Sequence, residues 1–271
     1  MADLADLEWR FIPEAARPGP VQMALEEVAA ETAVAGGPAL VRVFRWEPST
    51  LSLGYRQDPA TVDWAACDRL GVDVTRRQTG GGGIYHDHEA DLSYSIVVPA
   101  AAVPGDLLES YRRLCRPILA FFDDLGMDAD FAASERPPVH QPACFLRAIH
   151  PAHDILVGDR KVSGNAQYRR RDAVIQHGSV NASLVPARHL AVFADHGVDE
   201  ATFRERVTAV DEHVDLDRAA VVDRLAAALR SWADADVDRW RAGELEAARE
   251  LAERKYANDD WIRRKPASST G

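Results

Sequence analysis

At 271 residues the chain is long enough for one large domain or two modest ones, with ample surface to bury. Its 46% hydrophobic and 28% charged residues exclude global disorder. A net charge of −11, from 27 Asp and 16 Glu against 29 Arg and three Lys, excludes a nucleic-acid-binding face, since no basic stripe interrupts the acidic balance.

MADLADLEWR lacks the basic start and apolar stretch of a secretory signal, and no run of ~18 apolar residues marks a membrane span. The expected location is therefore cytoplasmic. An Asp-rich, Lys-poor exterior suits high salt, and a GC-biased genome would also trade Lys for Arg. Cys67, Cys115 and Cys144 form neither a C-x-x-C pair nor an even, closely spaced set. This argues against a disulfide framework and against a Cys-rich zinc site.

After a loose start, Met23 to Ala35 has helical character and is stopped by Gly36-Gly37-Pro38. Leu40 to Trp46 alternates as a strand, a Pro48 turn follows, and TLSLGYRQ is a second strand. Val62 to Gly71 is a short helix. GVDVTRRQ is a strand running straight into Gly80 to Gly83, and DLSYSIVVP alternates again beyond the loop. Gly105 to Gly126 carries helical spacing, with a break or kink at Pro117. The Pro-rich loop ERPPVHQPACF leads to strand, turn and strand in HDILVGDRKVSGNAQ, the turn centred on Gly158-Asp159. Asp172 to Leu184 is a further strand, and helices dominate from about Ala187. Paired strands with helices between the pairs predict an α+β fold with a mixed, largely antiparallel sheet and flanking helices. The expected division is a core over residues 1–190, a helical C-terminal part of the same domain over 191–265, and a frayed tail over 266–271.

Three features can carry chemistry. The glycine loop follows neither G-x-x-x-x-G-K-[ST] nor G-x-G-x-x-G, so it is not a nucleotide loop of those types. His86 and His88 lack a third ligand at useful spacing, so no metal site is assigned. What remains is a run of amides that can approach a bound group closely, with Arg76 and Arg77 upstream as charges for a phosphate or carboxylate; a solvated hairpin is the plain alternative. Lys161 is a strand lysine in a chain that uses arginine in place of lysine nearly everywhere, which suggests a point charge or a titratable amine. An ordinary surface lysine is the competing reading. Cys144 follows the Pro-rich loop and is either a reactive thiol near a cation or a buried structural residue.

RRQTGGGGIYHD resembles the R-R-x-[ST]-G-G-G-A-V-[FY]-H-D signature of the lipoate–protein ligase A family. DILVGDRKVSGNAQ resembles that family's D-[LI]-x-x-x-G-[RK]-K-[FIV]-[SA]-G-[SN]-A signature, QHGSV its H-G-[ST] strand, and KYANDDW its closing K-[FY]-x-x-x-x-W element. Gly83 replaces the usual Ala, a change expected only to loosen the loop. The resemblance implies a catalytic domain of the biotin/lipoyl protein ligase type acting on a C8 acyl group. The acceptor would be a lysine of a lipoyl domain of a 2-oxoacid dehydrogenase complex or of a glycine-cleavage H-protein. It implies that Arg77, Thr79, Gly80, Gly81, Gly82 and Gly83 line the acyl and phosphate site, with His86 at its edge. Lys161 would stabilise the carbonyl's developing charge, with Gly164 and Ala166 beside it and His177 on the next strand.

Two chemistries are open within that family. An ATP-dependent ligase makes a lipoyl-adenylate, usually with magnesium, and Asp154 occupies the position of an Asp suited to the metal–nucleotide. A cysteine-dependent octanoyltransferase needs no cofactor and carries the acyl group on its own thiolate. ACF, GNAQYR and IQHGS resemble the transferase branch, so Cys144 is expected as nucleophile. A non-catalytic binder of lipoate or acylated carriers is the reading of another class. It has no need for an oxyanion stabiliser such as Lys161.

Overall fold

The computed structural model describes residues 3–151, 153–170, 172–195 and 197–265, so the expected frayed tail lies outside the described residues. In chain order the elements are β1 (Trp9–Ile12), β2 (Ala16–Arg17), α1 (Gly19–Val34), β3 (Ala39–Trp46), β4 (Thr50–Leu53), α2 (Trp64–Leu70), β5 (Asp73–Arg76) and β6 (Ile84–His86). Then come β7 (Asp91–Pro99), α3 (Leu107–Leu114), α4 (Arg116–Asp124), β8 (Ala129–Phe131), β9 (Asp154–Val157), β10 (Arg160–Arg169) and β11 (Ala173–Asn181). The last third holds α5 (Pro186–Ala191), α6 (Glu200–Arg206), α7 (Arg218–Ala233), β12 (Asp236–Val237), α8 (Ala242–Leu251) and α9 (Asp259–Ile262).

The main sheet runs β12-β1-β3-β7-β11-β10-β9-β8, with β2 attached to β3. It is parallel along β12-β1-β3 and where β2 joins β3, and antiparallel from β3 through β8. The α+β class with a mixed sheet is therefore as the strand pattern predicts. The loose start is in fact β1 and β2, and a two-residue strand interrupts the helical C-terminal part. Alternation divides the sheet's two faces. In β7, Leu92, Tyr94, Ile96 and Val98 join Val41, Val43, Phe121, Phe122, Leu225 and Leu229 in a core covered by α4 and α7. The other face buries Leu40, Phe44, Trp46 and Ile175 against Met23, Leu25 and Ala29 of α1 and Ala248 of α8. Residues 191–265 thus share both cores with the first 190. Helix α1 begins at Gly19 rather than Met23, because Pro20 supplies a helical φ where the first turn has no use for its missing N–H. The Pro117 break falls at Cys115, between α3 and α4.

A small sheet, β5-β4-β6, lies apart from the main one, with β4 parallel to β5 and antiparallel to β6. The glycine loop joins β5 to β6, so its two ends are held one strand apart on either side of β4. Among the described residues no helix is long and apolar enough to cross a membrane.

Candidate active site

A cavity of about 650 Å³ opens between the main sheet and the glycine loop. Phe44 and Trp46 line it from β3, Ser93 from β7, His177 and Ser179 from β11, and Lys161 and Gly164 from β10. From β10 to β3 is three strand spacings, roughly 14 Å. Of the residues singled out in the sequence, Arg77, Gly80, Gly81, Gly82, His86, Cys144, Asp154, Lys161, Gly164, Ala166 and His177 line this space. Thr79 and Gly83 do not; each lies directly behind the wall.

Lys161 is no surface lysine: it is 2% exposed. A bulge puts it opposite Leu156 and Ser163 opposite Ile155, leaving Val162 as the extra residue. Its Nζ donates to Asp154 Oδ1 at 2.7 Å and to the Cys144 carbonyl at 3.0 Å, and lies 3.9 Å from Cys144 Sγ. Burial alone would lower the lysine pKa, but Asp154 and Cys144 outweigh it and the net shift is upward. Asp154 shows the mirror effect: burial would raise it, yet Lys161 and His153 hold it well below the usual carboxylate range. The pair is charged at neutral pH. A side chain on Gly164 would lie 3.3 Å from both Cys144 Sγ and Lys161 Cε, so its absence lets thiol and ammonium rest against β10.

The three cysteines separate clearly. Burial pushes Cys67 and Cys115 up to about 12, and both are inert in the core. Cys144 is half-buried, faces the cavity and opens a short 3-10 turn, Cys144–Leu146.

The glycine loop meets this segment directly. Gly83 N donates to Pro142 O at 2.7 Å, and Cys144 N donates to Gly83 O at 2.8 Å. Gly82 permits the approach, because a Cβ there would sit 2.6 Å from Pro142 O and 2.9 Å from Cys144 N. Gly81 has φ +97°, a conformation that glycine adopts without penalty. Gly83 differs from expectation. A methyl group there would press on Phe193 at 3.0 Å and on Gln57 at 3.2 Å, so the substitution makes room for a neighbour rather than loosening the loop.

The two arginines also differ from expectation. Arg76 lies behind the loop and donates to the carbonyls of Gly54, Gln57, Trp261 and Ile262, fastening the C-terminal segment to β5. Arg77 gives its N–H groups to Thr79 Oγ1, Ser52 O, Ser52 Oγ, Gly80 O and Gly82 O. Its pKa is pushed down to about 10, chiefly by burial. Neither arginine has a donor left for an incoming anion. His86 is not at the edge: it is buried, stacked on Trp46 at 4.0 Å between centroids, with Nε2 2.9 Å from Ser52 Oγ. Sequence reading missed Glu26, whose carboxylate meets His177 Nδ1 at 3.0 Å, and Arg147, which lines the cavity beside Gly82. Nothing in the local pattern marks Glu26, because its partner lies 151 residues away.

A cavity bounded by a thiol, a buried lysine–aspartate pair and a glycine loop thus lies against a mixed sheet. Residues 18–230 match the lipoyl protein ligase A/B catalytic domain, and the chain belongs to that family. It is 32% identical to octanoyltransferase LipM of Symbiobacterium thermophilum, over 96% of this chain and 100% of the relative. It is 33% identical to octanoyltransferase LipM of Kyrpidia tusciae, over 95% and 99%. Among solved structures, a lipoate-protein ligase A bound with ATP superposes with TM-score 0.79 at 24% identity, over 95% of this chain and 99% of that one. A bipartite lipoate protein ligase from Thermoplasma acidophilum, described with its E2 lipoyl domain, superposes with TM-score 0.76 at 25% identity, over 95% and 96%.

Proposed function

We propose that this protein is an octanoyltransferase that takes an octanoyl group from a carrier onto Cys144 and passes it to a lysine of a lipoyl domain or a glycine-cleavage H-protein. The observation that carries the reading is Cys144 Sγ at 3.9 Å from Lys161 Nζ, both facing a cavity also lined by Phe44 and Trp46. In the first step the thiolate attacks the acyl carbonyl, a C–S bond forms and the bond to the carrier breaks, the carrier's group leaving with its electron pair and, where it is an amine, taking a proton from solvent. In the second the neutral acceptor amine attacks the Cys144 thioester, a C–N bond forms, the C–S bond breaks, the sulfur leaves as thiolate and the amine's surplus proton passes to solvent. Each step builds negative charge on the carbonyl oxygen, which a fixed ammonium and nearby amides stabilise. Lys161 keeps its proton throughout because Asp154 stays ionised beside it.

The ATP-dependent alternative fits the residues less well. Asp154, the carboxylate expected at a metal–nucleotide, is bridged by Lys161 and by the His150 amide at 2.8 Å. On the transferase reading no nucleotide takes part. The test is intact-mass measurement after incubation with an octanoyl donor, supplied as octanoyl-N-acetylcysteamine or octanoyl-H-protein, without nucleotide. An octanoyl adduct that disappears in Cys144→Ala is expected. No adduct, with ATP-dependent acylation that survives Cys144→Ala, would overturn the reading in favour of the ligase.

A further inference from the structure

Two buried chains of polar groups converge on Arg77. In the first, Arg77 Nε donates to Thr79 Oγ1 at 2.9 Å, Thr79 Oγ1 lies 2.8 Å from His177 Nε2, and His177 Nδ1 lies 3.0 Å from Glu26. In the second, Arg77 Nη1 reaches Ser52 Oγ at 3.3 Å, Ser52 Oγ lies 2.9 Å from His86 Nε2, and His86 Nδ1 faces Asp91 Oδ1 at 3.3 Å. The donor logic runs one way in both. A carboxylate can only accept, so each imidazole directs an Nδ1–H toward one; in the neutral ring Nε2 then accepts from the hydroxyl, whose oxygen accepts from Arg77. His86 Nδ1 makes no well-formed hydrogen bond to Asp91 and meets it at ion-pair distance only. The carboxylates are themselves held: Glu26 by Arg42 at 3.4 Å, and Asp91 by the hydroxyls of Ser93 and Ser179. Thr79, Ser52, Glu26 and Asp91 are each at most 5% exposed. The Glu26 relay is the tighter of the two at every link.

The other side of Arg77 explains what the relays hold. Its Nη2 grips Gly80 O at 2.8 Å and Gly82 O at 2.7 Å. In a planar trans peptide the N–H points opposite to the C=O. Fixing Gly82 O therefore fixes Gly83 N–H on Pro142 O, and with it the Gly83 carbonyl that receives Cys144 N. Fixing Gly80 O turns Gly81 N–H away from the guanidinium. Among the described residues the amides of Gly81 and Gly82 donate to no protein acceptor, although both glycines line the cavity.

We infer that Thr79, His177 and Glu26, with Ser52, His86 and Asp91 as a looser second arm, are positioning residues that act through Arg77 to aim the Gly81 amide at the acyl carbonyl. This deepens the octanoyltransferase reading and rests on it. The relays touch no reacting atom; they hold the Gly80–Gly81 peptide plane, whose Gly81 N–H is free on the cavity side, while the Gly82–Gly83 plane is tied to Pro142.

The test uses the full chain and compares two reactions of the same thiol. Acylation by octanoyl-N-acetylcysteamine passes through an oxyanion and alkylation by iodoacetamide does not. Thr79→Val, which keeps the shape and removes the hydroxyl, should slow adduct formation by ~10-fold to 100-fold. Its alkylation rate should stay within about twofold of wild type, and Thr79→Ser should recover most of the acylation. Glu26→Gln cuts the same relay at its far end, should show the same split, and gives the readout if Thr79→Val does not fold. Acylation at the wild-type rate in both variants, or an equal loss of acylation and alkylation, overturns the inference while leaving the transferase intact. A wild-type protein that forms no adduct overturns the transferase reading and the inference with it.

Discussion

On the glycine-loop side of the cavity the Arg77 donors are all satisfied within the protein, and the loop offers a ligand its backbone. On the Cys144 side the functional groups themselves face the cavity, a thiol on a short 3-10 turn and an ammonium on a bulged strand. The first side is a frame whose electrostatics are closed behind it, with Arg77 neutralised at a distance through two histidines. The second is a reactive group whose Lys161–Asp154 pair is held beside the space it acts on. Reading the motif as a cluster of free arginines reverses this division of labour. The cationic signature residues build the wall, and the single buried lysine faces the cavity.

Lys161 tests the reactive side most severely. Lys161→Ala leaves the Asp154 carboxylate buried without its cation, so a stability loss of about 3–5 kcal/mol in urea unfolding is expected. Acylation should also fall by ~10²–10³. Adding Asp154→Asn removes the orphaned charge and should restore most of the stability while leaving acylation low. If the double variant regained activity, Lys161 would be a structural partner of Asp154 and the asymmetry between the walls would collapse. Lys161→Arg is not a rescue, since the planar guanidinium does not fit the point-charge space beside Gly164.

Gly82 tests the seam between the walls, with a smaller effect. The Cβ of Gly82→Ala meets backbone on the Cys144 segment, which can give way only by moving the thiol. Displacements of this size cost on the order of 10- to 100-fold in rate, with ~1–3 kcal/mol of stability from overpacking. Gly80→Ala is the matched control, because no atom lies within 4 Å of its Cβ position. Adduct kinetics should separate the two variants clearly. Equal behaviour would mean that the loop's grip on Cys144 is not what sets the rate.

Much of this was legible in the sequence where the information is local. Alternation in DLSYSIVVP gave β7 its two faces, and the lysine-poor background singled out Lys161. The signatures placed the glycine loop opposite that lysine. Distant partnerships were not legible. Strand β1 has four residues and finds its partners at β3 and at the two-residue β12, more than two hundred positions away. Arg76 and Arg77 carry the same charge and adjacent numbers, yet their tasks are set by carbonyls of Ile262 and of the loop itself. The Glu26–His177 contact has no sequence signal, because α1 and β11 meet only once the sheet has formed.

The smallest effect on catalysis is expected at His189, which lies behind both walls. Its ring packs at 5.9 Å from Tyr85 on the loop side, 5.6 Å from Phe145 on the cysteine side and 5.0 Å from Phe203. Burial, and to a lesser degree His86, pushes its pKa down from 6.5 to about 3. A histidine depressed in the folded state takes up its proton first in the unfolded chain. Stability therefore falls as pH drops below about 6.5 and continues to fall toward 3. His189→Phe keeps the aromatic packing and removes the proton site. Unfolding midpoints measured between pH 7 and 4 should decline less steeply in the variant, with acylation at pH 7 unchanged. Parallel pH profiles would mean that His189 is protonated in place and that the two walls part around it, whereas a flatter profile identifies a neutral wedge that keeps them together.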